Sequence, residues 1–235
     1  DCSMPVVAWD LTTLDCSNQD FGPAELMLIS SVVIPVSPAM IEIRLDSNPI
    51  TGSKDKAKEG SGRTTGPLKQ NGVEEYDCDP SGLVALLEAM KSSAVAKLSI
   101  ADCDIGPQGL TAFSKLISAI TAVNEITLDR NPITGATWDY LSNDVYGCKD
   151  GFDSDMSGFT AFCESIKSSA VSKLSVSGCG IGPVGLTTLA KFIPGSTAMT
   201  EIRLDGNPIT GSEYGLSLIH ISEPTRRRGI SYAVF

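Results

Sequence analysis

The chain repeats itself, and that restricts its fold more than any other feature. Leu98-Ser-Ile-Ala-Asp-Cys-Asp-Ile-Gly-Pro-Gln-Gly-Leu110 returns as Leu174-Ser-Val-Ser-Gly-Cys-Gly-Ile-Gly-Pro-Val-Gly-Leu186, and a looser copy runs from Leu14 to Leu26. Each is followed by a second half: Ile43-Arg-Leu-Asp-Ser-Asn-Pro-Ile50, Ile126-Thr-Leu-Asp-Arg-Asn-Pro-Ile133 and Ile202-Arg-Leu-Asp-Gly-Asn-Pro-Ile209. Both halves obey one template, apolar-x-x-apolar-x-apolar-x-x-(Asn or Cys)-x-apolar, with six matches beginning at Leu11, Met40, Val95, Val123, Val171 and Met199. Cys103 to Asn131 and Cys179 to Asn207 are each 28 residues, and Gln19 to Asn48 is 29. A unit this short cannot bury its own apolar edge, so it becomes stable only by stacking on its neighbours.

Within one unit the physics is direct. Leu98 and Ile100 alternate with polar residues, which a short strand requires. Cys103 or Asn131 follows where the chain turns inward. An Asn there has two donors and an acceptor for backbone groups of neighbouring coils, whereas a buried Cys fills the volume but bonds weakly. The return limb is helical, with Leu110, Phe113, Leu116, Ile117 and Ile120 at helical spacing. Leu83, Leu86, Leu87 and Met90 repeat that spacing, as do Phe159, Phe162, Cys163 and Ile166.

The template and its period resemble the leucine-rich repeats, and the alternation of Cys-type and Asn-type units resembles the ribonuclease-inhibitor subfamily. That resemblance implies an α/β solenoid, with parallel strands on a concave face and helices on a convex one. It covers residues 5–214 as about six coils. Two insertions interrupt the period, near 52–80 and 136–157, and both follow Asn-Pro-Ile-Thr-Gly, so they should rise from one face on alternate coils. The first is rich in Lys, Gly and Ser and is expected to be mobile. The second carries Trp138, Tyr140, Tyr146 and Phe152, which suit either partner contact or packing back onto the solenoid.

The end of the chain reads differently. Leu216-Ser-Leu-Ile-His-Ile-Ser-Glu-Pro-Thr-Arg226 resembles a translated sequencing-library adapter, and Ile230 to Phe235 resembles a translated flow-cell primer. Residues 215–235 are therefore expected to be a non-native tail, and the chain a fragment truncated at both ends. Setting aside that tail's three Arg and one Glu leaves 15 basic and 27 acidic residues, a net charge of −12. The only histidine, His220, also lies there. Without it, histidine-based nucleophile systems, imidazole bases and His-ligated metals are excluded from the repeats. The acidic balance argues against nucleic acid as a partner, and no run reaches the ~18 apolar residues of a membrane span.

One motif invites a metal. Asp77-x-Asp79-x-Ser81-Gly82 with Glu88, and Asp153-x-Asp155-x-Ser157-Gly158 with Glu164, have the spacing of calcium loops. Both also stand immediately before a helix of the repeat, where Asp and Ser are ordinary capping residues. The cysteines contain no Cys-x-x-Cys pair. Cys103 and Cys179 would sit about 10 Å apart on alternate coils, too far for a disulfide, and buried thiols suit a reducing compartment.

Polar strand positions should line the concave face, including Arg44, Asp46, Asp129, Arg203 and Asp205, with Arg130 beside them. The expected function is a non-catalytic protein-interaction scaffold, with no cofactor and a partner of unknown identity. The candidate contacts are those six residues together with Trp138 and Tyr140. Two alternatives stand beside it: a regulator of a GTPase, and an extracellular or surface repeat protein. A cytoplasmic location is expected, and secretion stays open because the start of the chain is missing.

Overall fold

In the computed structural model the described residues are 11–55, 73–138, 148–211 and 220–222. Each template match forms one coil. Coil 1 has strand β1 (Thr13–Asp15) and helix α1 (Pro23–Leu28), continued by a π-helical turn at Ile29–Val33 and by α2 (Ile34–Val36). Coil 2 has β2 (Glu42–Arg44), a ribbon of β3 (Lys54–Asp55) and β4 (Val73–Glu75), then α3 (Ser81–Met90). Coil 3 has β5 (Lys97–Ser99) and α4 (Pro107–Ile117). Coil 4 has β6 (Glu125–Thr127), a second ribbon of β7 (Thr137–Trp138) and β8 (Cys148–Asp150), then α5 (Ser157–Ile166). Coil 5 has β9 (Lys173–Ser175) and α6 (Pro183–Phe192), and coil 6 has β10 (Glu201–Arg203).

Six strands run parallel in the order β1-β2-β5-β6-β9-β10, with Leu14, Ile43, Leu98, Ile126, Leu174 and Ile202 in register. Parallel pairing without slippage follows from the template, because a one-residue shift would turn every buried side chain outward. Leu45, Ile100, Leu128, Val176 and Leu204 form a second buried column, each 0% exposed. The helices return on the opposite side of this core and pack their apolar stripes against it, with Phe113 and Phe162 edge-to-face at 5.7 Å. The architecture is an α/β leucine-rich-repeat solenoid, and the buried columns exist only because every coil supplies one wall of the next.

Two features were not legible beforehand. The insertions begin and end as two-stranded antiparallel ribbons, Lys54–Asp55 on Val73–Glu75 and Thr137–Trp138 on Cys148–Asp150. Their middles, where mobility and Tyr140 were expected, lie outside the described residues, and at Trp138 only the backbone of β7 is described. The second feature is β11 (His220–Ser222), which pairs antiparallel with β10 through Ile221 opposite Ile202.

Candidate functional site

Before, between and after the two buried positions of each coil's strand segment, side chains project from the outer face of the sheet. The first column reads Glu42, Lys97, Glu125, Lys173, Glu201, alternating in charge from coil to coil. Lys97 Nζ lies 3.4 Å from Glu125 Oε2. The second column reads Asp15, Arg44, Ser99, Thr127, Ser175, Arg203, so small hydroxyls hold the centre and arginines the flanks. Arg44 and Arg203 are separated by four strand spacings, roughly 19 Å. A depression of about 200 Å³ lies over Glu42, Arg44, Lys97, Ser99, Glu125 and Thr127.

The third column carries the aspartates. Asp46 Oδ1 accepts from Ser99 Oγ at 2.7 Å and from the Ala101 amide at 2.8 Å. One repeat later Asp129 Oδ1 accepts from Ser175 Oγ at 2.6 Å and from the Ser177 amide at 2.7 Å. Each carboxylate is thus clamped by the following coil through one oxygen, which fixes its direction on the face. Asp205 occupies the same position on coil 6. Arg44 stands between Asp15 (3.9 Å) and Asp46 (3.8 Å), and Ser17, through side-chain and backbone bonds, with Arg44 adding less, holds the Asp15 carboxyl below its ordinary value. Arg130 sits just beyond the strand, with φ +57°, 3.9 Å from Asp102, which also takes a bond from Ser47 Oγ. Of the expected contacts, Arg44, Asp46, Asp129, Arg203 and Asp205 share this face, and Arg130 borders it. The alternating Glu/Lys column was missed, although superposing the six template matches displays it.

The acidic loops are built for another task. Asp153 reaches forward to coil 5, where its two oxygens accept from the Gly182 and Val184 amides at 2.9 Å, at the start of α6. Asp77 does the same one repeat earlier, taking the Gly106 amide at 3.0 Å at the start of α4. These residues cap the helix of the next coil, not the helix that follows them. Asp79 and Asp155 serve locally, accepting from the Ser81 and Ser157 amides at 3.0 Å. The Ser81 and Ser157 hydroxyls, and after them these amides, hold both carboxyls below their ordinary value. Glu88 pairs with Lys91 at 2.7 Å, and Glu164 lies on α5. The carboxylates of each loop thus serve two coils, and among the described residues no group of three or more His, Cys, Asp or Glu could hold a metal ion.

Behind the face lies the network that holds the coils together. Asn131 Oδ1 accepts from the Cys103 and Ile105 amides, and its Nδ2 donates to the Ile100 and Leu128 carbonyls at 2.8 and 2.9 Å. Asn48 and Asn207 repeat the pattern. Cys103 and Cys179 donate their thiols to the Leu45 and Leu128 carbonyls at 3.2 Å, and burial pushes both thiols well above their ordinary range. Such thiols are poor nucleophiles.

Residues 95–114 and 168–190 match a family model described as a leucine-rich repeat. No curated protein matches the chain. No helix among the described residues is long and apolar enough to cross a membrane.

Proposed function

We propose that this leucine-rich-repeat solenoid is a non-catalytic docking module whose outer sheet face takes a protein partner. Leucine-rich repeats commonly mediate protein–protein contact, and the observation that carries the reading here is the clamping of Asp46 and Asp129. Side chains held in place before a partner arrives lose little conformational freedom on binding. Mixed charge around a hydroxyl centre favours a polar protein surface that presents both signs. The net charge of −10 supports a protein rather than a nucleic acid. The 28-residue alternation of Cys103 with Asn131 and Cys179 with Asn207 supports the ribonuclease-inhibitor-like type. Free thiols at Cys103, Cys163 and Cys179 support an intracellular setting.

The test is capture from cell extract by immobilised chain, read by quantitative mass spectrometry against two variants. Thr127→Arg with Arg44→Glu alters the sheet face, and Lys115→Glu alters the exposed side of α4. Proteins retained by the parent and by Lys115→Glu, but lost with the face variant, support the assignment. Retention that ignores the face variant while its circular dichroism is unchanged refutes it.

A further inference from the structure

The Asn-type coils carry one tripeptide on the outer face, and coil 4 departs from it. Coil 2 has Arg44-Leu45-Asp46 and coil 6 has Arg203-Leu204-Asp205, whereas coil 4 has Thr127-Leu128-Asp129. The setting of the aspartate is kept. On coil 2, Ser99 is the registered neighbour of Arg44. Its bond to Asp46 Oδ1 draws that carboxylate back toward Arg44, whose Nη2 lies 3.8 Å from Asp46 Oδ2. On coil 4, Ser175 is the registered neighbour of Thr127. Its bond at 2.6 Å draws the Asp129 carboxylate the same way, and the Ser177 amide holds the same oxygen at 2.7 Å. Coil 4 therefore keeps the acid and its clamp and lacks the base that answers it on coil 2.

Among the described residues no side chain takes that base's place. Arg130 leans toward coil 3, with its guanidinium 3.9 Å from Asp102, and Lys97 engages Glu125 at 3.4 Å. Asp129 has no ion-pair partner among the described residues. The position is interior to the sheet, since β6 has β5 on one side and β9 on the other. It is also reachable from outside, because Thr127 lines the depression on this face.

We propose that an arginine of the partner lies over Thr127 and pairs with Asp129 Oδ2, in the place that Arg44 holds beside Asp46. This rests on the reading that the sheet face is the docking surface, and it names the side chain that the surface reads. A guanidinium presents a planar fork of donors to a carboxylate. The Asp129 carboxylate is already fixed in direction, so little freedom is lost when it arrives. The net charge of −10 favours a basic approaching segment. Arg44 and Arg203 occupy the same column on coils 2 and 6 and repel a second base, which directs the partner's arginine to coil 4.

A random dodecapeptide phage library panned on the immobilised full chain supplies the probe. Peptides that bind the parent but not the variant carrying Thr127→Arg and Arg44→Glu are synthesised and titrated by fluorescence anisotropy. The expected result is an arginine common to these peptides, whose replacement by glutamine weakens binding about tenfold or more. Asp129→Asn keeps an Oδ1 acceptor for Ser175 and Ser177 and should weaken the arginine peptide equally, with no further loss for the glutamine peptide. Asp46→Asn should change either by less than about threefold, because Arg44 already answers that acid. Circular dichroism checks that Asp129→Asn folds. If it does not, Thr127→Arg alone carries the test, since it supplies the missing guanidinium from within and should block the arginine peptide. Face-dependent peptides with no arginine in common, additive losses from Asp129→Asn and the arginine replacement, or undiminished binding to Thr127→Arg overturn the proposal and leave the docking reading standing. A library that yields no face-dependent peptide overturns both.

Discussion

At the scale of single residues, the interior is held by amides and carboxylates that serve a neighbouring coil. Asn131 is fully buried and bonds two amides and at least two carbonyls across the junction of coils 3 and 4. Asn131→Ala leaves those groups unpaired, at roughly 1–3 kcal/mol for each that water cannot reach. The expected total loss is about 3–5 kcal/mol, measured by urea unfolding. Asp77 and Asp153 hold equivalent positions but differ in environment. Asp77 is 5% exposed, and its Oδ2 has no partner among the described residues. Burial raises its carboxyl above 3.8 against the pull of the amides at the start of α4. The folded state therefore keeps a proton at a pH where the unfolded chain has lost it. The stabilisation from this residue is complete below 3.8 and fades as pH rises through the folded value. Asp77→Asn should remove that fall, visible as a flatter dependence of unfolding free energy on pH in this window.

At the scale of elements, each insertion returns along a leg that ends as a cap. Tyr76-Asp77 and Phe152-Asp153 lie over Gly106 and Gly182, where a Cβ would collide with the leg. Gly82 and Gly158 let α3 and α5 approach the Pro23 and Pro107 backbones, where a Cβ would again collide. A helix thus receives its N-terminal partner from the preceding coil, and the loop that supplies it cannot be cut out without exposing the amides of the next helix. Asp153→Ala should cost about 1–2 kcal/mol, and Asp155→Ala, which removes a local turn, less; urea midpoints separate the two. Gly158→Ala should cost about 1–3 kcal/mol by pushing coil 4 from coil 3, checked by the same measurement.

At the scale of the whole molecule, stability is a chain of nearest-neighbour junctions, and among the described residues nothing links coil 1 to coil 6 directly. What covers one end then matters little to the middle. We read residues 215–235 as no part of the repeat, and their removal should leave circular dichroism intact and change the unfolding free energy by no more than about 0.5 kcal/mol. Differential scanning calorimetry checks this; loss of the cooperative transition would make β11 a structural member of the sheet.

The spacing of Leu98, Ile100 and Cys103, and its return 28 residues later at Ile126, Leu128 and Asn131, was enough to read the strand register, the buried columns and two of the three columns of the outer face, but not the alternating Glu/Lys column. Burial imposes periods of two and 3.6 on the side chains, and those periods are written in the order of residues. The aim of Asp77 and Asp153 was not. A carboxylate before a helix looks like that helix's own cap, and which amides it meets depends on how far the insertion carries the chain before it folds back. The ribbon roots and the strand on β10 are of the same kind: pairings between distant segments leave no period in the chain, because only the stacked coils bring their donors and acceptors within reach.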